Sequence, residues 1–428
     1  MSAPHDDVVI TGLAATSPLG GTARSTWQAL LARASAAVPL TEAWAADLPV
    51  RIAAPAAVEP GPLLDRIQAR RTDRAAQFAL VALREAWADA GFTGTAGAPG
   101  APVAERVAVV VGSGIGGLGT LLPAHDLIRA GDTRRVSPYT LPMLMTNAAA
   151  AQCALEVNAT AAAQAPATAC AAGADAIATG LDLIRAGRAD VVVAGGTEAV
   201  INPMAITAFA AMKALSRSND TPACASRPFD KKRDGFVLGE GAALLVLESG
   251  RHARARGARV YAELAGAGRS TDAHHMTRPH PSGTGMTHAI ERALTDAGLA
   301  ARDIGHVSAH ASATPAGDAA EARAIRSALG GPGRAVSAVK ASAGHLIGAS
   351  GALAAVTTVL ALHHRVAPSI VNLEDPDDAC DLDLVRDEPR PLPAGSLAAL
   401  SHSAGFGGHN TVLAFRNHRP APGVVGTG

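Results

Sequence analysis

The chain reads as an α/β protein of mostly buried sheets, built from strands alternating with helices, with one element order met twice. Three observations predict this. Short apolar runs at 8–12, 107–111, 190–196 and 241–247 are too brief for helices and read as strands covered on both faces. Between them lie stretches with helical spacing, such as Leu80, Leu83 and Trp87. Finally, 48% of the 428 residues are hydrophobic and only 17% charged, so most of the chain must be packed rather than solvated.

In order, Val8-Val9-Ile10-Thr11-Gly12 forms the opening strand run, broken by Pro18-Leu19-Gly20-Gly21. Residues 27–33 look helical, and 34–62 are irregular and contain proline. The spacing predicts a helix over 73–90, capped by Asp73 and stopped by Gly91. Residues 93–104 read as a surface loop, and 107–111 as a strand running into Gly112-Ser113-Gly114-Ile115-Gly116-Gly117-Leu118-Gly119. That glycine run invites a dinucleotide site. It lacks the P-loop lysine, and no clear βαβ unit with a ribose-binding acid follows, so close backbone approach is the better use of its glycines.

From 171 to 185 one helix face carries Ala174, Ile177, Ala178, Leu181 and Ile184; Gly187 stops it, and a strand follows at 190–196. After the strand at 241–247 the order restarts. Residues 260–266 echo the opening strand and its Gly turn, and Met286, Ile290, Ala293 and Leu294 echo the 73–90 helix, ending at Gly298. A strand-like run at 305–309 comes next. The recurrence is of elements rather than residues. It divides the chain into halves at 1–255 and 256–416, with 417–428 as a loose tail.

Composition narrows the function. Lys+Arg and Asp+Glu both number 37, which argues against nucleic acid or an anionic membrane as the main partner. The start has no basic segment leading into an apolar one, so no signal peptide is expected, and no uninterrupted apolar run predicts a membrane span. The cysteines at 153, 170, 224 and 380 include no CxxC pair, so neither a metal cage nor a disulfide framework is expected, and a reduced cytoplasmic setting fits.

The chemistry is expected at Thr168-Ala169-Cys170, because Cys170 opens the 171–185 helix, where unpaired N–H groups and the helix dipole favour a thiolate. From position alone, a small buried cysteine filling a helix–strand contact fits equally well. Three further polar stretches bear on the choice. His310 follows a strand and precedes Ser312, Thr314-Pro315 and Gly317-Asp318; Asp318 and Glu321 have capping-box spacing for a helix ending at Leu329. His345 stands in Lys340-Ala341-Ser342-Ala343-Gly344-His345, before an apolar helix over 349–362. The third stretch is His402-Ser403-Ala404-Gly405-Phe406-Gly407-Gly408-His409-Asn410. Singly, each histidine reads as structural. One helix-terminal Cys with two loop histidines is a sharper pattern, since thiol acyl chemistry needs a nucleophile plus proton or oxyanion partners.

These motifs resemble the β-ketoacyl-acyl carrier protein synthases, the elongating ketosynthases, over about residues 7–416. Supporting stretches are Ser137-Pro138-Tyr139, Ser226-Arg227-Pro228-Phe229-Asp230 and Arg233-Asp234-Gly235-Phe236-Val237-Leu238, while Gly408-His409-Asn410 resembles actinobacterial fatty-acid and mycolate-precursor synthases. The resemblance implies a thiolase-like, five-layered α-β-α-β-α fold from two related halves. It implies that Cys170 takes an acyl group from the phosphopantetheine arm of an acyl carrier protein. Malonyl-carrier protein then decarboxylates, and its enolate attacks the thioester to give a β-ketoacyl chain two carbons longer. By the same resemblance His310 and His345 stabilise the enolate, Lys340 holds His345, and the N–H groups of Cys170 and Phe406 form an oxyanion hole. Phe406 gates the site, Ser312 and Thr314 contact the pantetheine, and Met145, Phe209 and Ala404 line the substrate path. No metal or dissociable cofactor is implied.

Partners follow the same resemblance: an acidic carrier protein docked on Arg66, Arg70, Arg71 and Lys213, and either a homodimer or a heterodimer with a ketosynthase-like chain. In the dimer the 159–167 stretch is expected to pair with its mate, though Ala161-Ala162, Gln164 and Pro166 make a poor strand. Two departures stand near the site. Ala354 occupies a position where the family carries Glu, which would deprive Lys340 of its acid, and His402-Ser403-Ala404 replaces Asn-Ser-Phe beside the gate. The alternatives are an acyltransferase that omits condensation, a non-catalytic partner subunit and a thiolase. Retention of Cys170 speaks against the partner subunit, and Cys153, Cys224 and Cys380 lie outside the motifs where a thiolase's second cysteine is expected.

Overall fold

The computed structural model describes residues 7–331 and 333–418, so most of the 417–428 tail lies outside the described residues. Ten strands form its main sheet: β1 (Val8–Thr16), β2 (Val107–Gly112), β3 (Ala162–Gln164), β4 (Val191–Glu198), β5 (Gly241–Ser249), β6 (Ala262–Thr271), β7 (Ile304–Ser308), β8 (Ala335–Ser337), β9 (Ala398–Gly405) and β10 (His409–Asn417). Its helices include α1 (Arg74–Asp89), α2 (Ala148–Val157), α3 (Ala172–Arg185), α4 (Thr284–Ala297), α5 (Pro315–Leu329) and α6 (Ser350–His364).

The duplication is visible in the strand order. One half runs β1-β5-β4-β2-β3 and the other β6-β10-β9-β7-β8. Each step also has the same sense in both halves: antiparallel, antiparallel, parallel, parallel. The halves join where Val9 and Ile10 of β1 pair with Glu263 and Ala262 of β6.

Layering follows from which faces are apolar. Helices α3 and α6, buried almost throughout, lie between the two half-sheets and share one core with strands of both. Helices α1 and α2 cover the outer face of the first half, and α4 and α5 that of the second. This is the five-layered thiolase-like arrangement. The stretch Ile347–His364 is long and apolar enough to cross a bilayer, but 89% of it is buried inside this central layer.

Local expectations hold where sequence signals are strong. Asp73 caps α1, its carboxylate accepting the Ala75 N–H at 2.9 Å. The expected turn at Gly266 is absent, because β6 continues to Thr271. Gly266 is there for close approach: a Cβ on it would stand 2.5 Å from the Ala297 nitrogen of α4. The capping box at Asp318 and Glu321 is likewise not formed. Helix α5 begins earlier, at Pro315 after Thr314, so both carboxylates fall inside it and turn inward.

Candidate active site

Cys170 sits on a 3-10 turn, Ala169–Ala171, that leads into α3. Glycine 405, at the end of β9, lies against this turn so closely that a Cβ would meet the Thr168 carbonyl oxygen at 2.5 Å. That contact carries Phe406 to Cys170. The N–H groups of Phe406 and of Cys170 itself both interact with the sulfur and favour its ionised form.

Helix position was expected to lower the Cys170 pKa, and the structure reverses this. Burial pushes the thiol up to about 12, against the pull of Lys340 and the two N–H groups and with the push of Glu198. A helix terminus supplies about 0.3–1 kcal/mol, less than the roughly 1.4 kcal/mol of one pKa unit, so it cannot offset loss of solvent. At rest the Cys170 side chain is therefore a thiol. Its sulfur becomes anionic only as a proton leaves or a bond breaks.

His310 leaves β7 through a loop pinned by two charged side chains. Glu321 of α5 accepts the N–H groups of His310 at 2.6 Å and Ala311 at 2.7 Å. Lys340 Nζ donates to the His310 carbonyl at 2.6 Å and lies 3.4 Å from its Nδ1. The expectation that Lys340 holds His345 is thus corrected: the loop carrying His310 meets the start of the short helix Lys340–Ala343, and Lys340 grips His310. Its carboxylate neighbour is Glu321, so Ala354, packed in the core on α6, does not leave it without a counter-charge. Burial lowers the Lys340 pKa to about 8, with Glu321, Cys170 and Asp318 raising it in opposition.

His345 follows Gly344, and its own N–H donates to the Val237 carbonyl at 2.7 Å. Its Nδ1 accepts the Ile347 N–H at 3.2 Å and lies 2.7 Å from Ser350 Oγ. Nδ1 is therefore the acceptor nitrogen, and the ring hydrogen of the neutral imidazole is on Nε2. Burial, then the charge of Lys340, holds His345 well below the ordinary histidine range; the same two effects, with His345 and His402, do so for His310. The two rings meet edge to face, 5.5 Å between centres.

Backbone strain gathers here. Ala169, Ala311 and Ile347, one beside or near each of Cys170, His310 and His345, have φ of 50°, 40° and 45°. Such left-handed geometry costs an L-residue about 1–3 kcal/mol and persists only where surroundings enforce it.

Cys170, His310 and His345 face one cavity of about 660 Å³, which Phe406, Phe209, Ala404, Ser312 and Thr314 also line. Ser312 and Thr314 hydroxyls are 3.0 Å apart. Rings pass inward from Phe406: to Phe209 at 6.4 Å, then Phe209 to Phe236 at 5.5 Å, and Phe236 to His345 at 4.9 Å. Lys213 borders the same cavity. Arg66, Arg70 and Arg71 are exposed on the short helix Arg66–Arg71 and do not line it; Arg71 lies over the Tyr139 ring at 4.7 Å. Met145 is not brought to the site. It follows the helix Thr140–Leu144, is 49% exposed, and borders a separate recess beside Met143 and Thr146.

Sequence reasoning passed over Glu198 and misread Glu321. The Glu198 carboxylate accepts the Gly114 N–H at 2.7 Å, the Ser113 hydroxyl at 2.9 Å and the Gly348 N–H at 3.1 Å. It is what the glycine run serves, and it ties that run to the loop after His345. Burial pushes its carboxyl up to about 7 despite those donors. A lone Glu ending a buried strand was the only sequence signal.

A buried thiol, two neutral histidines and two N–H donors around one cavity, on this duplicated sheet, define a thiol-dependent acyl-condensing enzyme. Residues 5–253 match the family model "Beta-ketoacyl synthase, N-terminal domain", and residues 261–374 match "Beta-ketoacyl synthase, C-terminal domain". The chain belongs to the β-ketoacyl synthase family. It is 44% identical over 413 residues to 3-oxoacyl-acyl-carrier-protein synthase 2 of Mycobacterium tuberculosis (strain H37Rv), covering 95% of this chain and 96% of that one. Two solved structures are also similar. One is the ishigamide ketosynthase/chain length factor, with TM-score 0.87 and 32% identity over 97% of this chain and 100% of the other. The second is AntDE:AntF, a type II PKS acyl-carrier protein in complex with its ketosynthase bound to the hexaketide (TM-score 0.88, 29% identity, the same coverage).

Proposed function

We infer that this chain condenses an acyl group on Cys170 with malonyl-acyl carrier protein, giving a β-ketoacyl-carrier protein two carbons longer. The observation that carries the reading is the shared cavity in which Cys170, His310 and His345 face one another, open enough for a pantetheine arm. In the transfer step Cys170 sulfur bonds the acyl carbon, the pantetheine C–S bond breaks, and the thiol proton passes to the departing sulfur. The Cys170 and Phe406 N–H groups are placed to stabilise the oxyanion. In the second step the malonyl C–COO bond breaks with release of CO2. The two histidines, neutral and therefore able to donate one N–H each, stabilise the enolate oxygen until the enolate carbon attacks the acyl-Cys170 carbonyl. Cys170 then leaves as a thiolate, which its two N–H neighbours and Lys340 favour. The chain's own groups suffice for every step, so the reading calls for no metal or dissociable cofactor.

The acyl group we assign is other than a plain saturated chain, as in specialised, polyketide-type metabolism, and its support is Ala404 on the cavity wall. The carrier protein is the macromolecular partner, in a reduced cytoplasmic setting that suits the free cysteines. The second chain of a homodimer, or a ketosynthase-like mate, is proposed to pair along β3. That strand is the outer edge of its half-sheet, and Leu155, 76% exposed, lies on α2 beside it. Light scattering of the purified chain decides between them: a monodisperse monomer favours the heteromer.

Intact-protein mass spectrometry with acyl-carrier proteins, followed by malonyl-carrier protein and product analysis, tests the activity. Cys170→Ala should take up no acyl group. His310→Ala and His345→Ala should still acylate yet lose most condensation, whereas full condensation by either variant removes that histidine from the scheme.

A further inference from the structure

One buried pair in the active-site wall has no part in the steps above. His402, on β9, is 1% exposed, and its Nδ1 lies 2.6 Å from Glu321 Oε1. An ionised carboxylate has no hydrogen to give, so Nδ1–H is the donor. The same Oε1 accepts the His310 N–H, and Oε2 accepts the Ala311 N–H. The His402 and His310 rings stand 6.4 Å apart. Nε2 of His402 is buried without a hydrogen-bond partner, so Glu321 is its ring's one polar anchor among the described residues.

We propose that His402 is a positioning residue for the condensation step: by holding Glu321 it fixes the His310 loop and the counter-charge of Lys340. The proposal rests on the condensing function inferred above. Glu321 has three donors, and two of them belong to the loop it positions. Removing the third frees the carboxylate to turn and unbalances the charge beside His310. Burial raises the Glu321 pKa, yet the His402 charge and hydrogen bond with the Ala311 and His310 N–H groups outweigh it and hold the acid below its ordinary range. The other titratable groups facing this carboxylate are Lys340, Asp318 of its own helix and Cys380. Without His402, Glu321 should protonate at higher pH and release its grip on both N–H groups.

The test compares wild type, His402→Leu and His402→Asn in separate half-reactions. Asparagine can place an amide N–H where Nδ1–H stood; leucine cannot. His402→Leu is expected to load Cys170 within about twofold of wild type while condensation falls on the order of 10-fold. The acidic limb of its condensation pH profile should move up by about one unit. His402→Asn should recover most of the rate, while its limb, with the N–H restored but not the charge, lies between those of His402→Leu and wild type. Equal loss in both half-reactions, an unmoved limb, or no rescue by Asn overturns the proposal, since each is what a merely structural residue gives. A wild-type protein that loads acyl groups but never condenses them would instead overturn the function, a result visible before any variant is compared.

Discussion

Lys340 Nζ donates to the carbonyl oxygen of His310 at 2.6 Å, while His345 is held from the other side by Ile347 and Ser350. His310 and His345 are therefore supported independently, and only one of them depends on a titratable side chain.

Because burial brings the Lys340 pKa to about 8, its ammonium is charged below that pH and neutral above it. Condensation should fall as pH rises through about 8, as Lys340 loses its charge and weakens its hold on His310. Lys340→Met should condense at a lower rate, down on the order of 10-fold, with that limb gone. Rate–pH profiles of pre-acylated enzyme with malonyl-carrier protein check this. A limb near 8 that persists in Lys340→Met assigns it to another group.

The thiols should separate by exposure. Cys224 is exposed, whereas Cys153, Cys170 and Cys380 are buried. A small alkylating agent at pH 7 should modify Cys224 first, with little loss of activity. Inactivation should follow more slowly, track Cys170, and keep accelerating with pH beyond the ordinary thiol range, because burial pushes that thiol to about 12. Mass mapping against residual activity is the measurement. Fast inactivation at pH 7 with Cys170 as the first site modified would show that its thiol is ionised at rest.

What the sequence revealed of this site, and what it hid, divides by range. The Cys170 turn, the buried strands and the α1 cap depend on neighbours a few residues away, and all were readable. Glu321 was misread because capping-box spacing is a local signal that ignores the stronger start at Thr314-Pro315, and the acid turned inward instead. The partner of Lys340 depends on a loop and a short helix, 30 residues apart, meeting in space, which no spacing encodes. Likewise the helix start at Cys170 was visible, but the burial that outweighs its dipole belongs to tertiary packing.

Arg70 is exposed on the short helix Arg66–Arg71, and Arg71 is partly engaged over Tyr139, so Arg70 is the cleaner probe of carrier docking. Arg70→Glu should raise the KM for carrier-bound substrate by about 3- to 10-fold, and the difference from wild type should shrink with added salt. Pantetheine thioesters that lack the protein should react unchanged. Equal effects on both substrates would show that Arg70 acts on the site rather than on docking.

Ala404 offers the sharpest test of substrate class. It lines the cavity with Phe406, pairs across β9–β10 with Asn410, and is half-buried against the core that includes Met286 and Val412. An aromatic ring at 404 would fill space that the present side chain leaves open beside Phe406. Overfilling costs little where a wall faces a cavity rather than close-packed core, so the variant should fold. Ala404→Phe should then lower kcat/KM for bulky or unsaturated acyl groups by about 10-fold, roughly 1.4 kcal/mol, and leave short saturated acyl groups within about twofold. Competition between saturated and polyunsaturated acyl-carrier proteins, read as the ratio of acyl-Cys170 masses, measures this directly. A wild type that prefers saturated chains, with the same ratio in Ala404→Phe, would place the chain in ordinary fatty-acid elongation.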